Sequence, residues 1–368
     1  MQLNLHHLAF CALCALLACC CTADAQWREA LPGWQYEFPR DHGNHPDFKT
    51  EWWYFTGNIA TPDGKQFGYQ LTFFRQGVIP PGQKTPPSSF VTRDVKFAHF
   101  AVSELANNRF HHFQKLSRGS FGQAGFEDST RLAWIENWEA RITGPHSFHL
   151  AARQDGVSIS LDLESLKPPV FHGENGVSQK AEGVGRASHY YSLTRLKTSG
   201  TISIDGTTHS VDGLSWFDHE WATNQLAANQ KGWDWISLQF DDGSELMLFQ
   251  IRTTDGGRDA YSSGTFIDAS GKSEKIANAD FSLIPLEWWT SPSSKGKYPV
   301  DWKIQIPKLS LDLTLRAANK AQELDAAPFA YWEGAITAAG TRNNQPVSAR
   351  GYLEMTGYAG AVTGMQSR

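Results

Sequence analysis

From residue 30 onward, apolar and polar residues alternate in short runs, and glycine, proline and Asp-Gly dipeptides cut one run from the next. Val157-Ser158-Ile159-Ser160-Leu161-Asp162-Leu163 and Leu309-Ser310-Leu311-Asp312-Leu313-Thr314-Leu315 are two such runs, and Gly68 to Arg75 is a third, richer in aromatics. A period of two sends successive side chains to opposite faces of a strand, which suits half-buried β-sheet. No segment carries a convincing long 3.6-residue period of an amphipathic helix. Asp63-Gly64, Asp205-Gly206 and Asp242-Gly243 read as hairpin turns, because tight hairpins need the positive φ angles that Asp and Gly tolerate. The chain is therefore expected to be all-β and antiparallel.

Its 368 residues suggest two domains, and the sequence repeats itself at about that scale. Glu51-Trp52-Trp53-Tyr54-Phe55 leads through Asp63-Gly64 to a strand ending at Arg75. Trp233-Asp234-Trp235-Ile236 leads through Asp242-Gly243 to a strand ending at Arg252. Tyr190-Tyr191 before Gly200, and Tyr331-Trp332 before Gly340, mark matching later parts of the two halves. One β-unit present twice predicts two tandem antiparallel barrels, at 26–212 and 213–368, since closing a sheet removes exposed edges and can enclose a pocket.

Ahead of them, Leu8 to Cys21 is apolar but shorter than the roughly 20 residues that span a bilayer. Ala23-x-Ala25 after it fits a signal-peptidase site, so 1–25 reads as an export leader. Leu16-Leu17-Ala18-Cys19 approximates a lipoprotein box, which would remove 1–18 and leave a lipid-modified Cys19. All five cysteines lie in this segment, so cleavage after Ala25 leaves no thiol. Either route predicts a periplasmic or secreted protein, with membrane attachment only through Cys19. A net charge of -5 without a Lys/Arg block excludes a nucleic-acid partner. With 14 Trp, 22 Phe and 10 Tyr, the chain has aromatic surface for cores and for an apolar ligand.

The densest chemical constellation is Gly213-Leu214-Ser215-Trp216-Phe217-Asp218-His219-Glu220-Trp221. On a strand, Asp218 and Glu220 share one face, and His219 and Trp221 the other. Paired carboxyls raise one another's pKa, which makes a proton donor. His219 beside Trp221 is a second candidate acid. The alternative is structural, with Asp218 and Glu220 paired to Arg75 or Arg252. In the first half, His45 and Glu51 precede Trp52 and Trp53, and Glu51 is expected to meet Arg75 or a backbone donor. His99 sits between Ala98 and Phe100, where a buried hydrogen-bonded histidine competes with a ligand contact. Zinc-protease, nucleophile-elbow and dinucleotide motifs are absent: Thr223 stands where a second zinc histidine would be. No metal and no cofactor are expected.

Glu51-Trp52-Trp53-Tyr54, Phe67 to Arg75, Trp216 to Trp221, Gly232-Trp233-Asp234-Trp235 and Gly351 to Tyr358 resemble the AttH family of secreted lipocalin-like proteins, which is related to carotenoid hydratases and lipocalin-like fungal cyclases. The resemblance runs from about residue 36 to 358 and implies two lipocalin-like barrels. In the hydratases, an acid protonates an alkene and water adds to the cation. The resemblance matches the His and Trp of their Asp-His-x-Trp segment to His219 and Trp221. Their Tyr-x-Asp pair has no counterpart in Glu245 to Arg252. AttH-type members often accompany a lipid-export transporter, which the resemblance implies as a partner.

Two functions follow as expectations. One is an exported protein binding an apolar or lipid-like small molecule, linked to a transporter. The other is a hydratase, isomerase or cyclase using Asp218, His219 and Glu220, with Trp53, Trp216, Trp221, Trp235, His45, Glu51 and His99 around the ligand.

Overall fold

The computed structural model describes residues 26–88, 90–326 and 330–360. The leader, its cysteines and both expected cleavage sites, Cys19 included, lie outside them. Among the described residues all regular structure is antiparallel strand, apart from three-residue 3-10 turns. The Asp-Gly turns fall where the sequence placed them. Asp205 (φ 50°) and Gly206 (φ 82°) join two of the longest strands, Ala187–Ile204 and Thr207–Ala222.

The strands make two sheets. In the first, Thr50–Ala60 lies between Gln66–Gly77 and Thr207–Ala222, so the opening strand of the half pairs with its closing one. In the second, Gln230–Phe240 lies between Glu245–Thr253 and Gln345–Met355, the same arrangement. This is the duplication seen in the sequence. Each sheet curls round its own core, with Trp53, Phe217 and Trp221 in the first and Trp302, Trp332 and Leu353 in the second. The far ends of the first sheet meet, with the rings of Phe100 and Trp138 5.6 Å apart. Burying each such large side chain contributes roughly 2 kcal/mol, and that burial holds the curl.

The division expected at 212 falls within a single strand. Residue 213 falls inside Thr207–Ala222, which pairs only with first-sheet strands, and the chain enters the second sheet at Gln230. A strand that closes a sheet cannot be shared out at its middle, so the connection is 223–229.

A third apolar cluster draws on both sheets, with Tyr54, Tyr190 and Trp216 from the first and Trp235, Phe249 and Tyr352 from the second. Contact here is close: a Cβ at Gly68 would sit 2.8 Å from Ala335 Cβ and from the Tyr352 hydroxyl. Asn58 Nδ2 donates to Gly351 O at 3.1 Å, and Gln239 Nε2 donates to the carbonyls of Thr194 and Ser215. The two halves are packed face to face through outward-facing residues of their central strands.

Candidate functional site

An apolar cavity opens between the two sheets. Strand register explains its walls. On the first sheet, Ser192, Asp218, Tyr54, Thr72 and His99 stand side by side across five strands, a polar row. The next row along the same face is Tyr190, Glu220, Trp52, Phe74 and Phe97, mostly aromatic. On the second sheet, Phe249, Trp235, Glu354 and Glu333 form the facing row. Side chains two residues apart share a face, so two rows per sheet suffice to line the room.

Four carboxyls therefore border one apolar cavity: Asp218, Glu220, Glu333 and Glu354. One cation, Lys180, also lines it, 3.1 Å from Glu220 Oε1 and lying over the rings of Tyr190 and Phe249. Asp218 accepts from the Tyr190 hydroxyl and the Trp216 indole at 2.6 Å each, and from Ser192. Behind these donors, Trp235 Nε1 donates to the Tyr190 hydroxyl at 3.0 Å, and His172 bridges Ser192 and Thr265. Burial raises the Asp218 carboxyl to about 7, although its three donors pull it back.

Glu333 is held differently. Tyr54 donates to its Oε1 at 2.7 Å, while its buried Oε2 has no hydrogen-bond partner among the described residues. Burial, then the neighbouring Glu354, push the Glu333 carboxyl well above the usual range. Burial raises Glu354 to about 8. Burial thus biases Glu333 and Glu354 towards the protonated form, and Asp218 is poised to gain or lose a proton near neutral pH.

The alternation read at Asp218 to Trp221 holds, and it splits the expected site in two. Asp218, Glu220, Trp235 and His99 line the cavity, with Trp216 bracing Asp218. His219, Trp221 and Trp53 point the other way, into the first core, where His45 and Glu51 join them. There, Glu51 receives His45 Nδ1 at 2.7 Å, His219 Nε2 at 3.0 Å and Arg75 Nε at 3.2 Å, together with the backbone N–H of His45. Trp221 stacks on His45 at 3.8 Å, and Trp53 on His219 at 4.9 Å. Burial works against a charge on His45, but Glu51 and Asp41 outweigh it and hold the imidazolium above the ordinary range. Burial holds His219 below that range.

The expected arginine pairing of Asp218 and Glu220 does not form. Arg75 is taken by Glu51, and Arg252 by Asp234 at 3.2 Å. His45, Glu51 and His219 have metal-type donor atoms within 4.8 Å of one another. Arg75 and His45 already occupy the oxygens of Glu51, and His45 also reaches Asp41.

Glu333, Glu354, Tyr54, Tyr190 and Lys180 were missed as site residues. The available signal was Tyr331-Trp332-Glu333, an acid set among aromatics as Glu51 is in the first half.

Two curled antiparallel sheets in tandem, with a carboxyl-lined aromatic cavity between them, define a lipocalin-like protein. The chain belongs to the AttH-like family, whose model matches residues 29–358. A crystal structure of an AttH-type protein from Nitrosomonas europaea is similar at 35% identity with a TM-score of 0.81, over 90% of this chain and 99% of that one. Kievitone hydratase from Nectria haematococca is similar in fold, at 17% identity and a TM-score of 0.70, over 92% and 96% of the two chains. CghA, crystallised with Sch210972, is similar at 11% identity and a TM-score of 0.52, over 91% and 97%. No curated protein matches the sequence.

Proposed function

We propose that the protein binds an apolar, unsaturated small molecule in the cavity between its sheets and acts on it as a proton donor, in a hydration, isomerisation or cyclisation. The observation that carries this reading is Glu333: a buried carboxyl, biased towards its protonated form by burial and by Glu354, with one oxygen unpartnered among the described residues beside aromatic walls. An apolar pocket with a few convergent polar groups is the usual form of a small-molecule site.

The chemistry follows from the two kinds of carboxyl. Glu333 transfers its Oε2 proton to one carbon of a substrate double bond, leaving a carbocation at the other and a Glu333 carboxylate. The ring faces of Trp52, Trp233 and Trp235 favour that cation. Asp218, held as an acceptor by three donors, takes a proton from the water that adds (hydration) or from the adjacent carbon (isomerisation). Attack by a second double bond of the substrate closes a ring and moves the cation, and loss of an adjacent proton to Asp218 then completes a cyclisation. Proton return from Asp218 to Glu333 restores both groups. Unequal carboxyl environments are the usual basis for such division of labour.

The likeness to kievitone hydratase supports a fold that hosts a hydration, and the apolar run at 8–21 supports a place outside the cytoplasm. The test is to extract ligand from purified protein, identify it by mass spectrometry and incubate it with fresh protein. Conversion that is lost in Glu333→Gln and Asp218→Asn is expected. Ligand recovered unchanged from the wild type overturns the enzymatic reading and leaves a carrier.

A further inference from the structure

The cavity has a polar end that the proton chemistry does not use. His99, Gln70 and Tyr331 meet there, His99 and Gln70 from neighbouring strands of the first sheet and Tyr331 from the second. Gln70 Nε2 donates to the Tyr331 hydroxyl at 3.1 Å and to Thr72 Oγ1 at 3.1 Å. Tyr331 in turn lies 2.7 Å from His99 Nδ1. Phe74, Phe97 and the Tyr331 ring pack within 5.8 Å of the imidazole and fix its plane.

Burial holds His99 neutral, its pKa lowered to about 3. We assign the Tyr331 hydroxyl as the donor to Nδ1, which puts the ring proton on Nε2 and makes that nitrogen an N–H donor. That Nε2 has no partner among the described residues, and neither has Gln70 Oε1, an acceptor. Both residues are almost wholly buried, at 2% and 1% exposure. Buried polar atoms in folded proteins are nearly always hydrogen-bonded, so a donor and an acceptor left over on either side of one hydroxyl call for a guest that supplies both partners. An alcohol or phenol does so: its oxygen accepts one hydrogen bond while its proton makes another. A carbonyl or ether satisfies His99 alone, and a hydrocarbon satisfies neither.

We propose that His99 and Gln70 form a hydroxyl-recognition subsite, and that the molecule bound between the sheets is an apolar compound bearing a free hydroxyl. The inference rests on the cavity reading above, but not on turnover. The aromatic row of Trp52, Phe74 and Phe97 takes the hydrocarbon body. The hydroxyl at the His99 end fixes which carbon of that body is brought to the acids.

The test uses three probes of one skeleton: geraniol, its methyl ether, and the hydrocarbon lacking its oxygen. Affinities are read by displacement of the fluorescent dye N-phenyl-1-naphthylamine from the full-length protein. Geraniol is expected to bind about tenfold more tightly than the ether, and the ether about tenfold more tightly than the hydrocarbon, as one hydrogen bond per step implies. His99→Phe is expected to abolish the ether-over-hydrocarbon step, and Gln70→Leu the alcohol-over-ether step, each read as a ratio between probes on the same variant. Circular dichroism checks that both variants fold, and the wild-type series stands as a test even if one does not. Equal binding of all three probes by the wild type, or steps that persist in both variants, overturns the subsite while leaving the cavity reading intact. Binding of none of them overturns both.

Discussion

Glu333 and Glu354 stand directly opposite each other on adjacent antiparallel strands, and both line the cavity between the sheets. Like charges in that position are destabilising, and burial eases the pairing by biasing both members towards the protonated form. A carboxyl whose pKa is raised on folding costs stability as pH rises, since the unfolded chain ionises first. For Glu354 the loss accumulates between the ordinary value of 4.5 and about 8, then levels off. Thermal melting of the wild type is therefore expected to fall across that range. Glu354→Gln should flatten the fall, and an unchanged slope in the variant would count against it.

Catalysis and binding should separate at the acids. Glu333→Gln and Asp218→Asn are expected to reduce turnover by roughly 10²- to 10⁴-fold, the usual effect of losing a positioned acid or base. Ligand affinity should change little, because neither substitution alters shape. Single-turnover kinetics and dye displacement on the same preparations check both parts.

Trp216 tunes Asp218 through a 2.6 Å hydrogen bond from its indole. Trp216→Phe removes that donor and should raise the Asp218 carboxyl further above about 7. With Asp218 as base, activity rises as pH passes its pKa. The lower limb of the pH–rate profile should then move upward by about one unit in the variant. A limb that stays in place would assign it to another group.

The core cluster round Glu51 should behave oppositely to the cavity acids. Glu51→Ala leaves Arg75 and His45 buried without their shared carboxylate, and is expected to cost about 3–5 kcal/mol in denaturant unfolding. His45 has a raised pKa, so its contribution is complete below the ordinary histidine value and fades as pH climbs past the folded one. Glu51 and Asp41 are held low, so theirs is lost only in acid. In His45→Ala, dye affinity should survive wherever the protein remains folded.

Much of this was legible in the chain. Alternation gave the strands, Asp-Gly pairs gave the turns, and the Trp-rich repeat gave the duplication. The same alternation correctly parted Asp218 and Glu220 from His219 and Trp221. It could not say which face meets the cavity and which the core, because both faces of that strand are buried there and each carries a tryptophan. Glu333 and Glu354 enter from strands more than a hundred residues downstream, a juxtaposition that no local spacing encodes. The arginine partners were misassigned for a related reason: Arg75 lies opposite Glu51 in the register and is consumed there.

The seam between the copies has a consequence for making the protein in pieces. A lone N-terminal unit would present Asp218, Glu220 and a strip of rings to water, and a lone C-terminal unit would present Glu333 and Trp235. Neither fragment would own a room, only one wall of it. Guest capture would return only when the two were mixed and docked.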